Sequence, residues 1–283
     1  MPFERPGDSG IENEKNTERL KESLKEVATD LRDNGFAVQD DCRVDMGAFL
    51  GVSEASDYRV KMHMQNIEGK ELKFRDKEAA GRGYKPRGQG SISNKDERSG
   101  EQLEGLKTVI FHKFLKGDFF TMRTSLYDDF KNGIDNLIIE KETGSVVGAF
   151  DEVVDTASGD RLIGKEQKIL DKNLRGGGVI RYGFDIIDND GEDKMVPTAE
   201  AKVNIPIFHL ALSKEDLEKG MREFVSISDE SGFEEVLFSR FTDSIKSQVA
   251  ELRTRETELN PAFMESLDIF ADRLFSADRT REE

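Results

Sequence analysis

Apolar residues recur at helical spacing early in the chain. Leu20, Leu24, Val27, Ala28 and Leu31 share one face between Thr17 and Arg32, and Asn34-Gly35 supplies a stop. From Phe36 to Asn66 the pattern is weak. Tyr58, Val60, Met62 and Met64 alternate, which predicts a strand. Gly81 to Ser93 is rich in Gly, Ser and basic residues, has no period, and reads as a flexible linker. Leu103, Leu106, Ile110 and Phe114 then predict a helix from Ser99 to Gly117, with Ser99 and Gln102 as a capping box. Strands are expected at Asp118–Leu126, Gly133–Glu140 and Val146–Val154, and a helix from about Arg161 to Leu174. After the Gly176–Gly178 break, Val179–Ile187 and Lys202–Leu212 read as strands around a polar turn. Helices follow at Ser213–Val225, Asp229–Glu256 and Pro261–Phe275.

This order predicts an α/β (mixed α+β) protein. Its core is a helix, a three-stranded meander, a second helix and further strands over residues 99–212. Residues 1–68 form an N-terminal helical and extended arm, 69–98 a flexible basic linker, and 213–283 a set of C-terminal helices that pack on the core or extend it. The stripe of Phe224, Phe233, Leu237, Phe238, Phe241, Ile245 and Val249 suits either a core or a helix–helix interface, so self-association through these helices is one expected partnership.

Hydrophobic residues are 36% of the 283-residue chain and charged residues 35%. That apolar share is below the usual ~45–50% of globular chains, so the core is expected to occupy only part of the sequence. A net charge of −16 argues against a simple nucleic-acid coat protein. Lys70 to Ser99 is the exception, with nine basic residues against five acidic ones, a local excess of four positive charges. Tyr84 among Arg82, Lys85 and Arg87 reads either as a nucleic-acid-gripping arm or as a solubilising linker. The single cysteine, Cys42, excludes an intrachain disulfide and a cysteine-based zinc site. The charged stretch Met1 to Glu22 lacks a signal-peptide core, and no apolar run approaches the roughly 20 residues of a membrane helix. A cytoplasmic protein without a membrane partner is expected.

The segment with chemical content is GIDNLIIEKETGSVVGAFDEV, Gly133 to Val153. Glu142-Thr143-Gly144 fits a three-residue hairpin loop with Gly144 in the left-handed conformation. Lys141 would then pair with Ser145, and Asp135 would fall opposite Asp151. Asp135, Leu137 and Ile139 would share a face with Val147, Ala149 and Asp151. A turn one residue different would instead set Asp135 against Phe150. Carboxylates across a strand pair, with β-carbons about 5 Å apart, repel each other. A hard divalent cation, Mg²⁺ or Mn²⁺, would relieve that repulsion. A solvated sheet rim would tolerate it without one.

The same segment, with its flanking elements, resembles the PD-(D/E)XK (restriction-endonuclease-like) nucleases. In that superfamily a glutamate-bearing helix precedes a three-stranded meander, an Asp opens the second strand, and a (D/E)-x-K motif lies on the third. Here Glu101 and Glu104 lie on the helix, Asp135 opens the second strand, and Asp151-Glu152-Val153 occupies the third. The stretch Arg123 to Asp155 is also similar to nuclease-like proteins of candidate-phylum bacteria. The resemblance covers Ser99 to Leu212 and implies a Mg²⁺- or Mn²⁺-dependent phosphodiesterase acting on DNA or RNA. Asp135 and Asp151 would be metal ligands and Glu104 (alternatively Glu101) an assisting one. Val153 stands where the motif has lysine. Lys165, on a helix that also carries Arg161, Lys168 and Lys172, is the candidate substitute. An ordinary solvated helix face is the other reading of these lysines. Without a lysine at the site, the resemblance implies an inactive scaffold that binds nucleic acid or assembles with protein.

Other features have plainer readings. Asp128 and Asp129 could widen the acidic site or simply form a tight turn. Asp188-Asn189-Asp190-Gly191 lacks a ligand at the first position of a calcium loop, where Ile186 stands. Gly176–Gly178 lacks the Lys-Ser/Thr of a phosphate loop. His112 and His209 fall in apolar elements and suit buried structural roles.

Overall fold

The computed structural model describes residues 8–52, 57–69, 95–155, 160–189, 192–227, 229 and 231–282. Its centre is a four-stranded mixed sheet in the order β1-β2-β3-β8, formed by Phe119–Arg123, Asn136–Glu140, Val146–Asp155 and Ile207–Ser213. β1, β2 and β3 run antiparallel as a meander, and β8 joins β3 in parallel. A parallel neighbour requires a crossover. Between β3 and β8 the chain forms α4 (Asp160–Leu174) and two small antiparallel pairs. One is β4 (Gly178–Ile180) with β7 (Lys202–Ile205), and the other is β5 (Gly183–Asn189) with β6 (Glu192–Thr198).

Strand alternation assigns the two faces of the central sheet. Phe150 and Glu152 turn toward α3 (Lys95–Leu115), where Phe150 meets Phe111 with ring centroids 5.1 Å apart. Phe208 on the same face stacks on Phe270 of α7 (Pro261–Glu282) at 4.7 Å. Asp151 and His209, partners in the β3–β8 register, turn toward α4. Asn173 pins α4 to β8: its amide nitrogen donates to Ile207 O at 2.7 Å and its amide oxygen accepts Ile207 N–H at 3.1 Å.

The helices form where apolar spacing and caps agree. Ser213 opens α5 (Lys214–Glu223) by accepting Asp216 N–H at 3.0 Å, and Ser231 opens α6 (Gly232–Thr254) by accepting Glu234 N–H at 3.3 Å. Leu237, Phe238, Phe241, Ile245, Val249 and Leu252 of α6 are all buried, so this stripe is spent within the chain's own core. Phe111 packs beside both Phe238 and Phe241. Burying each such ring contributes about 2–3 kcal/mol. α1 (Asp8–Asp33) joins the same core through Leu20, Leu24, Val27, Ala28 and Leu31.

Several expectations need correction. Tyr58, Val60, Met62 and Met64 lie on a helix, α2 (57–69), not a strand. Only Val60 and Ile67, two turns apart, are buried there, whereas Tyr58, Met62 and Met64 are exposed. α3 begins at Lys95 rather than Ser99, so Ser99 and Gln102 do not form its cap; Gln102 instead donates to Thr17 Oγ1 at 3.1 Å. The single strands expected at Val179–Ile187 and Lys202–Leu212 are each broken in two, at Arg181-Tyr182 and at Pro206, which has no N–H to continue a ladder. β6, containing Pro197, was not expected at all. The Gly81–Ser93 linker and Asp190-Gly191 lie outside the described residues. Among those described, no helix is long and apolar enough to cross a membrane.

Candidate functional site: an acid–lysine cluster at the end of the hairpin

The β2–β3 turn differs from the expected one by a residue. Glu140 N–H donates to Ser145 O and Gly144 N–H to Glu140 O, both at 2.9 Å, leaving a four-residue loop with Gly144 at φ 65°. Near the turn Ile139 faces Val146, one step out of the expected register. A bulge at Val147 then shifts the pairing back. Ile138 faces Gly148, Leu137 faces Ala149 and Asn136 faces Phe150. Asp135, just before β2, and Asp151, just after Phe150, therefore lie at the same end of the hairpin, by a route that spacing alone does not reveal.

Asp135 is buried, and its Oδ2 accepts Glu152 N–H at 2.7 Å. Burial, followed by the charges of Asp151, Glu104 and Asp129, pushes the Asp135 carboxyl well above the usual carboxylate range, with Lys165 pulling the other way. Asp151 pairs with Lys165, whose Nζ also donates to Glu152 O at 2.7 Å. α4 thus brings Lys165 to the acid pair. The exposed Lys168 is not part of the cluster. Lys172, two turns further along the same face of α4, donates to Gly133 O at 3.3 Å and to Asn132 O. Burial lowers the Lys172 ammonium, against the pull of Asp151.

Glu104 occupies a different position from that of a free ligand. It pairs with Arg123 and, at 3.5 Å, with Arg43. Arg43 also pairs with Asp129 at 3.0 Å, and Arg123 with Asp41 at 2.8 Å. Glu104 contributes negative charge at Asp135, but its oxygens are held by guanidiniums. Glu101, one turn earlier, is exposed. Thr108 ties the same helix to the sheet by accepting Asn136 Nδ2–H at 2.6 Å.

Asp128 is fully buried in a π-helical turn, Asp128–Asn132. Its carboxylate accepts from Ser125 Oγ and Asn132 Nδ2 at 2.7 Å, and from Arg181 N at 2.8 Å and Tyr182 N at 3.1 Å. It is a structural anchor rather than an extension of the acidic site. Gly133 closes the turn at φ 57° and leads directly to Asp135.

Sequence reasoning missed the groups on the opposite face. Lys107 and Glu152 form an ion pair buried between α3 and β3, with Lys107 Nζ 4.9 Å from the Phe150 ring centre. Burial pushes the Lys107 ammonium well below its ordinary range, against the pull of Asp135, Glu104 and Asp151. The available signal was position: Lys107 is four residues after Leu103, on the apolar face of α3. His209 was expected to be buried. It is half-buried beneath α4, with Nε2 3.2 Å from Glu166 Oε1.

Among the described residues no three His, Cys, Asp or Glu side chains converge on a common cation position. Asp135 and Asp151 can offer a divalent cation two carboxylates, and Glu152 O adds a carbonyl oxygen. Mg²⁺ accepts such a sparse set when water and phosphate oxygens complete its shell. No protein-family model matches this chain, and neither a curated protein nor a solved structure shows significant similarity to it.

Proposed function

We propose that the chain is a metal-dependent phosphodiesterase acting on DNA or RNA, built on a core of PD-(D/E)XK type. The observation that carries this reading is the meeting of Asp135, Asp151 and Lys165 at one end of the β2–β3 pair. The element order supports it: α3, the β1–β2–β3 meander, α4, and a later strand, β8, parallel to β3. Two carboxylates that repel each other in a buried setting favour a divalent cation, and the raised Asp135 reflects burial first and that repulsion second.

When bound, Mg²⁺ or Mn²⁺ would polarise the phosphodiester and lower the pKa of an attacking water. Asp135 and Asp151 would hold it. Lys165, in place of the lysine absent at Val153, would swing its ammonium from Asp151 toward the phosphate and stabilise the charge that develops there. Water oxygen would bond to phosphorus as the bridging P–O bond breaks. The water would pass a proton to solvent and the departing oxygen take one up from it, so that one water is consumed. Lys172 adds positive charge beside the acids, whereas Arg43 and Arg123 are already matched by Glu104, Asp129 and Asp41. Glu104 serves this reading as the anchor of the two arginines.

A second reading, an inactive scaffold of the same type that binds nucleic acid or assembles with protein, has its own support. Lys165 already neutralises Asp151, and Glu104 is already paired. Calorimetric titration of Mg²⁺ or Mn²⁺ into wild type and into Asp135→Asn/Asp151→Asn, beside cleavage assays on single-stranded and duplex substrates, separates them. The enzyme reading expects metal binding and metal-dependent cleavage, both lost in the double variant. Binding without cleavage supports the scaffold. Absence of metal binding, even with nucleic acid present, removes the metal site from both.

A further inference from the structure

Helix α2 and the π turn face each other across a cavity of about 320 Å³. Met62, His63 and Asn66 line the α2 wall, and Tyr127, Phe130 and Lys131 the other. His63 stacks on Tyr127, with centroids 3.8 Å apart and planes 17° from parallel, and its Nδ1 lies 2.7 Å from the Tyr182 hydroxyl. Burial, with Arg59 nearby, lowers the pKa of His63 and so favours its neutral ring, suited to stacking. Phe130 is 48% exposed beside this stack.

One exposed phenylalanine would mean little. Here the His63–Tyr127 stack bridges the two walls, the exposed Phe130 ring stands beside it, and Asn66 and Lys131 add an amide and a positive charge to the lining. Arg59 lies close enough to act on the ionisation of His63, Tyr127 and Tyr182. Neither Arg59 nor Lys131 has a carboxylate partner among the described residues. The turn that presents Phe130 is π-helical, a rare geometry concentrated at functional sites. It is held rigidly by the four hydrogen bonds to Asp128 and by Lys172 at its end. Lys131 precedes Asp135 by four residues, a chain span of at most about 14 Å.

We propose that this cleft is a stacking site for one base of a single-stranded nucleic acid, whose phosphates run past Lys131 toward the Asp135–Asp151 pair. The proposal rests on the phosphodiesterase reading and narrows its substrate to single strands. A base inside a duplex has both faces covered by its neighbours. A single strand leaves a face free for an exposed ring such as Phe130, and stacking of this kind tolerates any sequence. The cavity lies at the small end of ligand pockets, which suits one planar group rather than a folded ligand.

The test is fluorescence anisotropy with a labelled mixed-sequence single strand, as DNA and as RNA, and with the matching duplex, in EDTA so that no cleavage occurs. Phe130→Ala is expected to weaken single-strand binding roughly 5- to 100-fold and to leave duplex binding unchanged. Lys131→Ala is expected to flatten the salt dependence by about 0.7 in log–log slope. Phe130 is half exposed, so its variants should melt with the wild type. Single-strand binding that is absent, unchanged in Phe130→Ala, or no tighter than duplex binding overturns the proposal. Phe130-dependent binding with no metal-dependent cleavage keeps the stacking site and removes the hydrolytic reading. Cleavage lost in Asp135→Asn, with binding indifferent to Phe130, does the reverse.

Discussion

The backbone N–H of Glu152 donates to Oδ2 of Asp135 at 2.7 Å, and this bond clasps the residue that leads into β2 to strand β3. It holds the Asp135 carboxylate beside Asp151 while the Glu152 side chain turns away into Lys107. A hydrogen bond to a charged group favours ionisation by about 1.5–3 kcal/mol. The like charge of Asp151 opposes it. Burial and two further acids, Glu104 and Asp129, then decide the balance, and the Asp135 proton is held above its usual range.

Asp135→Asn should therefore stabilise the protein near neutral pH and, on the phosphodiesterase reading, abolish cleavage. For an acid whose folded pKa is raised, the folded state binds the extra proton between the unfolded and folded values. Stability then declines as pH rises through that interval, and asparagine removes the decline. The amide oxygen can still accept the Glu152 N–H. A gain on the order of 1 kcal/mol, or a few degrees in Tm, is expected at pH 7. Mg²⁺ should raise the wild-type Tm and leave that of the variant unchanged. A variant that melts below wild type at pH 7 would show the carboxylate to be stabilising instead.

Lys165→Ala separates binding from chemistry. Its ammonium contacts Asp151 and Glu152 O, so it competes for the oxygens a cation would use. Its removal should tighten Mn²⁺ binding by calorimetry while reducing cleavage by about 10²–10³-fold. If cleavage survives at the wild-type rate, Lys165 does not substitute for the lysine missing at Val153.

Lys107 and Glu152 should be costly to break singly and cheap to replace together. Either Glu152→Gln or Lys107→Met leaves a buried group without its partner, at a cost of about 3–5 kcal/mol in urea denaturation. The double replacement, Lys107→Met with Glu152→Leu, should recover most of that loss. A single variant as stable as wild type would mean that water reaches the pair and solvates it.

What the sequence made legible, and what it concealed, follows from how local each signal is. The faces of α1, α3 and α6 repeat over several turns, and the meander is bounded by Gly117, Gly133 and Gly144, so these elements announce themselves. Helix α2 does not, because burial of only Val60 and Ile67 leaves the visible alternation of Tyr58, Met62 and Met64 on a solvent face. The common end of Asp135 and Asp151 was reached with the wrong turn. The loop is one residue longer than expected, and the Val147 bulge cancels the slip. The capture of Glu104 by Arg43 and Arg123 is a tertiary event: Arg43 reaches Glu104 across 61 residues of sequence, and no periodicity encodes that. Lys107 sat in plain view on an apolar face, but its meaning depended on Glu152 emerging opposite it.

His112 sets the acid limb of stability. It is buried on α3, its Nδ1 has no hydrogen-bond partner, and Asp30 lies 3.6 Å from Nε2. Burial outweighs Asp30 and lowers its pKa from 6.5 to about 4. The unfolded chain therefore binds a proton that the folded chain refuses between those values. Stability from this group is fully present above pH 6.5 and is lost progressively as pH falls toward 4. The loss amounts to about 3 kcal/mol, since each unit corresponds to about 1.4 kcal/mol. In His112→Leu, denaturation midpoints measured from pH 7 to pH 4 should fall less steeply than in wild type by about that amount. Equal slopes in the two proteins would show that His112 takes up its proton in the folded state, and that Asp30 rather than burial governs it.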